Sequence, residues 1–278
     1  MTTPTRARVA DVTARLAAAG IESPRVDAEL LAAYVLGVPR TRLVLAPELD
    51  DDAEARLEAL VARRATREPL QYVLASAVLG PVSVAVGPGV FVPRPETELL
   101  LGEAVSALRG IGEPRVVDLC TGSGALALAI ATARPDAEVH AVELDPDALA
   151  WARRNLAGSG VRLTAADVTD PATLATLERT VDVVVANPPY VPEGTAVAPE
   201  VDHDPHDAVF AGPDGLAVIR PLATTAARLL RAGGRVAVEH DESHAPAVRE
   251  VLEGEGFAGV ATRDDLAGRP RVAVGTRR

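Results

Sequence analysis

The chain has 278 residues, 48% apolar and 24% charged, so it can bury a substantial core, and its single cysteine, Cys120, excludes a disulfide framework and any multi-cysteine zinc site. Residues 91–278 carry 18 Arg against 28 acidic residues, net −10, a surface that repels a phosphate backbone and favours a protein or small-molecule partner over nucleic acid. A run of about 18 apolar residues occurs nowhere, and the N-terminus lacks the apolar core of a signal peptide, so a cytoplasmic protein without membrane insertion is expected.

Residues 1–75 alternate charged with apolar residues at helical spacing, as in VADVTARLAAAG, SPRVDAELLAAYVLG and DDAEARLEALVARRATREP, and predict a small helical bundle. Ser23 before Pro24 reads as a helix N-cap, and Gly20 and Gly37 as helix stops. Residues 76–96 hold β-branched runs broken by Gly80-Pro81 and Gly87-Pro88-Gly89, the pattern of a hairpin or extended linker, and the domain boundary is placed there. From residue 97 to 278 strands and helices alternate. VVDLC (116–120), EVHAVEL (138–144), VRLTAAD (161–167), VDVVVA (181–186) and RVAVEH (235–240) read as strands. Helices are expected at ALALAIATA, at DALAWARRNLA, over GLAVIRPLATTAARLLRAGG with a glycine stop, and over 244–253. Two last strands near 257–263 and 270–276 have too short a connection for a helical crossover and should pair antiparallel. The fold class is α/β, a mostly parallel sheet covered on both faces.

Ligands of such sheets bind at the carboxyl ends of the strands. Asp118, Cys120, Thr121, Gly122, Ser123 and Gly124 occupy that end of the first strand of the large domain, and Glu143 ends the second at a distance suited to ribose hydroxyls. Ala127, three residues after Gly124, can replace a third glycine, so the spacing leaves a dinucleotide open. Asp118 would repel a pyrophosphate and welcome a sulfonium and an ammonium group, which favours S-adenosylmethionine. Asp167 is placed to accept from an adenine amino group, or is a turn acid.

The sharpest motif is Asn187-Pro188-Pro189-Tyr190, directly after a strand. Two prolines stiffen the loop and remove its backbone donors. The Asn187 side-chain oxygen and the Pro188 carbonyl can each accept one hydrogen of a planar NH₂ group, with Tyr190 as a wall against its plane.

With VPRPETE (92–98), DLCTGSGALALAIA, AVELDPDALAWARRN, NPPY, AGPDGL (211–216) and DLAGRPRVAV (265–274), the chain resembles the release-factor glutamine methyltransferases over nearly its whole length. The resemblance implies a seven-stranded Rossmann-like methyltransferase sheet behind a helical N-terminal domain that recognises the protein substrate. It also implies S-adenosylmethionine as cofactor, S-adenosylhomocysteine as product, and no metal. The substrate it implies is the glutamine of a Gly-Gly-Gln loop in class I peptide release factors. Carried over, the cofactor loop is Cys120–Gly124, the ribose acid is Glu143, and Asn187, Pro188, Pro189 and Tyr190 hold the amide. Cys120 stands where the family usually has glycine and calls for a negative φ. Glu239-His240-Asp241 replaces Glu-x-Gly, and Val168 stands where relatives place an aromatic beside the adenine. Arg94, Glu96 and Glu98 either face the substrate or tie the linker to the catalytic domain. His203, His206, His240 and His244 read as solvated polar turns, although His240 and His244 have i,i+4 spacing. A monomer is expected. Other readings are methylation of a glutamine elsewhere, of an adenine amine, or nucleoside binding without catalysis.

Overall fold

A computed structural model describes residues 4–46 and 48–278; the opening of the predicted bundle at residues 1–3, and residue 47, lie outside the described residues. The chain forms two compact units, one of the residues up to Ala75 together with Ala198–His203, the other of Ser76–Val197 with Asp204–Arg278.

The first unit is helical: α1 (Thr5–Ala18), α2 (Pro24–Leu36), a 3-10 turn (Arg40–Leu45), α3 (Asp51–Ala65) and the single turn α4 (Leu70–Val73). Val12 and Leu16, Ala28 and Leu31, and Leu57 and Val61 recur at three or four residues and are fully buried, so the apolar stripes of three helices meet in one core. Ser23 does occupy the N-cap position of α2, but its hydroxyl makes no capping bond; Pro24 supplies a helical φ at the first position without a donor to satisfy. Asp50, which the sequence did not single out, caps α3 by accepting the Ala53 N–H at 2.8 Å. Gly37 ends α2 in the left-handed region.

The second unit opens with a hairpin, β1 (Ser76–Leu79) and β2 (Val82–Ala85), closed by Gly80-Pro81. A 3-10 turn (Pro95–Thr97) leads into α5 (Glu98–Ala107), and then β3 (Arg115–Leu119), α6 (Ala125–Ala133), β4 (Glu138–Glu143), α7 (Pro146–Asn155), β5 (Arg162–Ala165) and β6 (Val181–Ala186) follow. After the turn α8 (His206–Val209) come α9 (Ile219–Leu229), β7 (Leu230–Glu239), α10 (Ala245–Gly254), β8 (Phe257–Asp264) and β9 (Pro270–Arg277).

The seven-stranded sheet runs β5-β4-β3-β6-β7-β9-β8. β3 to β7 are parallel, and β9 is antiparallel to both β7 and β8, as the short connection requires. Strands buried on both faces read as continuous apolar runs, and β3 and β6 are buried almost throughout. On α9, Ile219, Leu222, Ala226 and Leu229 are fully buried, and each large side chain contributes about 1.5–3 kcal/mol by leaving water.

Several boundaries differ from expectation, and three of the differences matter here. The glycine pair 233–234 does not stop α9: the helix ends at Leu229 and the strand begins at once with Leu230, ahead of a register shift against β6. β5 is shorter than expected, so Asp167 lies in the turn beyond it. β3 stops at Leu119, leaving Cys120 outside the strand. No helix among the described residues is long and apolar enough to cross a membrane.

Candidate active site

The sheet changes its direction of growth between β3 and β6: β4 and β5 extend it to one side, β6 and β7 to the other. A crevice must open beyond the carboxyl ends of the strands there. It holds a cavity of about 590 Å³, lined among others by Phe91, Thr97, Asp118, Cys120, Thr121, Gly122, Ser123, Glu143, Asp145, Asp167, Val168, Asn187, Pro189, Asp207 and Val218. Gly124, Pro188, Tyr190, Arg94 and Glu96 lie outside that lining.

The loop after β3 is fixed by its own hydrogen bonds. Thr121 donates its N–H to Val142 O at 2.9 Å and its hydroxyl to Asp118 at 2.6 Å. Gly122 donates its N–H to Glu143 Oε2 at 2.8 Å, and Leu144 and Asp145 donate theirs to Oε1 at 2.8 and 3.0 Å. Three of the roughly four lone-pair directions of that carboxylate are thus taken, and the remaining one lies on Oε2. These bonds force a sharp turn at Cys120, whose φ is +61° instead of the negative value expected for a cysteine. Conformations of that kind cost a residue with a side chain about 1–2 kcal/mol, which the fixed loop bears. Gly124 is required: its φ is +82°, and a Cβ there would meet Leu156 at 2.9 Å.

The cavity lining has five carboxylates, at 118, 143, 145, 167 and 207, and no cationic side chain. Such walls repel a pyrophosphate and suit a cation, which removes the ambiguity the glycine spacing leaves. Burial pushes Asp118 up to about 7, against the opposing hydrogen bonds from Thr121 and Ala127, and the charge of Glu143 raises it further. Burial likewise pushes the Cys120 thiol up.

Asn187 follows the end of β6 and Glu239 is the last residue of β7; Ala186 pairs with Val238, so both residues come one position after the last residues paired between the two strands. Asn187 Nδ2 donates to Thr97 Oγ1 at 3.1 Å, Thr97 donates to Glu239 Oε2 at 3.0 Å, and the Tyr190 hydroxyl donates to Glu239 Oε1 at 3.1 Å. Burial pushes Glu239 up to about 7, opposed by those two hydroxyls. No peptide bond among the described residues is cis, so Pro188 and Pro189 are trans. Gly215 fits only as glycine, since a Cβ would lie 2.3 Å from Tyr190 O.

The remaining residues singled out in the sequence take up structural contacts. Arg94 ion-pairs with buried Asp204 and stacks on Phe91; Glu96 pairs with Arg269 at 3.4 Å; Glu98 accepts the Gly80 N–H at 3.2 Å. His240 lies just past β7 and is fully buried instead of solvated, and His244 ends a 3-10 turn, so their spacing is not that of one helix face. Three further residues hold the site, and the sequence assigns none of them a role: Thr97 within VPRPETE, Glu239 at the head of Glu239-His240-Asp241, and Asn155, which donates to both Ala85 O and Ser123 O at 2.9 Å. Asn155 was legible only as the end of a helix, because its partners lie far away in sequence.

Comparison with known proteins places these features in context. Residues 9–74 match the family model described as PrmC N-terminal domain, and residues 86–204 that described as Methyltransferase small domain. A protein of Mycolicibacterium smegmatis named release factor glutamine methyltransferase is 54% identical over 98% of this chain and 97% of its own length. A Streptomyces coelicolor protein of the same name is 51% identical over 96% of each chain. Among solved structures, a T. thermophilus 16S rRNA N2 methyltransferase in complex with AdoMet and guanosine is 25% identical with a TM-score of 0.52, over 73% of this chain and 50% of that one.

Proposed function

Because this chain belongs to the release factor glutamine methyltransferase family, we propose that it methylates, from S-adenosylmethionine, the side-chain amide nitrogen of the glutamine in the Gly-Gly-Gln loop of class I peptide release factors. The observation that carries this reading is the Asn187 amide at the cavity wall: its nitrogen is engaged by Thr97 while its oxygen has no hydrogen bond among the described residues. An acceptor beside an acidic cavity suits a neutral NH₂ nucleophile and a cationic methyl donor.

The residues present fit that cofactor. Glu143 Oε2 keeps an acceptor direction for a ribose hydroxyl, Asp118 and the loop 120–123 face the charged end, and Asp167 with Val168 flanks a base. When bound, S-adenosylmethionine supplies an electrophilic methyl group on a sulfonium; its sulfur is already a good leaving group, so the chemistry calls for no metal.

An amide nitrogen is a poor nucleophile because its lone pair is delocalised. Asn187 Oδ1 and the Pro188 carbonyl therefore act by orientation and electrostatics, accepting the two N–H hydrogens and favouring the positive charge that develops on them. Pro189 holds the loop, and Tyr190 anchors its far end to Glu239. The excess proton leaves through one of the two accepting oxygens to water. Arg94 and Glu96 hold the segment that carries Thr97, and the helical unit offers a second surface to a large protein substrate.

The test incubates the protein with labelled S-adenosylmethionine and a class I release factor, alongside the factor with its loop glutamine changed to alanine, and locates the label by peptide mass spectrometry. Label on that glutamine alone is expected. Asn187→Ala should lower the single-turnover rate by about 100-fold or more. Label on another amide or on a nucleic-acid amine would replace the proposed substrate.

A further inference from the structure

We propose that Thr97 and Glu239 are positioning residues that fix which end of the Asn187 amide faces the substrate. This rests on the reading of Asn187 as the acceptor for the glutamine amide. Glu239 is 1% exposed, and its two oxygens receive the hydroxyls of Thr97 and Tyr190 at 3.0 and 3.1 Å. An ionised carboxylate can only accept, so both hydroxyl protons are committed to it. Threonine has one such proton. With it given to Glu239, Thr97 Oγ1 can only accept from its next neighbour, and that neighbour is Asn187 Nδ2 at 3.1 Å.

The reversed amide would set Asn187 Oδ1 against the Thr97 lone pairs with no hydrogen between them, and would turn the NH₂ group toward the NH₂ of the substrate. Both contacts would be repulsive. A side-chain amide is nearly symmetric in shape, so packing alone does not choose between its two ends; a directional chain that begins at a group with no proton to give does. The same carboxylate fixes Tyr190, and so holds both ends of the tetrapeptide. Three elements meet here: the turn before α5, the end of β6 and the end of β7.

The experiment compares wild type with Thr97→Val, Thr97→Ser and Glu239→Gln at about pH 8, above the value of about 7 at which Glu239 titrates. Thr97→Val keeps the shape and removes the relay. It should lower kcat by about 10- to 100-fold, the range for partners that orient a functional group, with KM for the release factor and Kd for S-adenosylmethionine within about twofold. Thr97→Ser restores the hydroxyl and should recover most of the rate. Glu239→Gln can donate as well as accept, loses the direction of the chain, and should also fall in kcat; it carries the test if Thr97→Val does not fold. Independently of activity, the Asn187 side-chain NH₂ protons, followed by NMR, should exchange slowly with water in wild type and in Thr97→Ser, and faster in Thr97→Val and Glu239→Gln. A Thr97→Val enzyme with kcat within about twofold of wild type, or a Thr97→Ser enzyme no better than it, would overturn the proposal. A wild-type enzyme that labels no glutamine would overturn the proposed substrate instead, while the NMR exchange still decides the relay.

Discussion

Glu143 Oε2 accepts the Gly122 N–H at 2.8 Å, so the residue suited to the ribose also holds the glycine loop in place. One side chain thereby joins the ends of β3 and β4. Glu143→Ala removes the proposed ribose partner together with the acceptor of three backbone N–H bonds. Hydrogen bonds to a charged group are worth about 1.5–3 kcal/mol each, so S-adenosylmethionine affinity should fall by about 100-fold or more. Isothermal titration measures it. A drop below about tenfold would show that the carboxylate serves the loop alone.

Asp118 gives a pH dependence with a definite sign. Burial pushes its carboxyl up to about 7 in the free protein, so the neutral form is favoured there. A cation bound beside it favours the carboxylate, and binding must then release a proton when the pH lies near or below 7. Affinity for S-adenosylmethionine should rise with pH from about 6 to 8, and the apparent binding enthalpy should depend on the ionisation enthalpy of the buffer. The stability contribution of Asp118 runs the other way: it is fully present below its ordinary value of 3.8 and lost as the pH rises through about 7. Buffer-independent binding together with a flat pH profile would remove Asp118 from contact with the charge.

Cys120 holds φ at +61°, a conformation that glycine adopts without steric cost. Cys120→Gly relieves the strain but adds freedom to the unfolded chain, and the two effects are of similar size, so stability should stay within about 1 kcal/mol. Cys120→Val adds a branched Cβ to the same conformation and should cost about 2 kcal/mol or more. Urea unfolding without cofactor checks the order Gly, Cys, Val. The thiol itself, pushed up by burial and by the charges of Glu143, Asp118 and Asp167, should alkylate slowly at neutral pH.

The parts of the molecule legible in the sequence are those whose cause is local. Repeating apolar spacing locates α1 to α3, and continuous valine runs locate β3 and β6, because burial on one stripe or on two faces writes itself into consecutive residues. NPPY stands out because its stiffness and acceptors lie within four residues. Thr97 and Glu239 did not stand out: each acquires its part only by meeting a residue 90 or 142 positions away. The positive φ of Cys120 was missed for a related reason, since residue type predicts backbone conformation only until tertiary bonds override it. Nor does any local pattern assign Ala198–His203 to the helical unit.

That assignment has an identifiable cause in Arg64, whose side chain is only 7% exposed. Its Nε donates to Asp27 at 2.7 Å, one terminal nitrogen donates to Glu200 at 2.9 Å, and Arg67 donates to the other Glu200 oxygen at 2.6 Å. Asp27→Ala takes away the more buried of the two carboxylates on Arg64 and leaves the Arg64 Nε without its partner, so it should destabilise the protein by about 2–3 kcal/mol even with Glu200 in place. Glu200→Gln should cost less, about 1–2 kcal/mol, since Glu200 and Arg67 are partly solvated and Asp27 still neutralises Arg64. Burial works to raise the Glu200 carboxyl, but the bonds from Arg67 and Arg64 prevail and hold it below its ordinary 4.5. Its contribution is therefore present above that value and lost as the pH falls through the lowered one. The Glu200→Gln penalty in urea unfolding should be full near neutrality and shrink as the pH falls below the ordinary 4.5, with faster hydrogen exchange over 198–203 in the variant. A penalty that stays constant over that acid range would mean that the segment is held by its packing and not by the charge of Glu200.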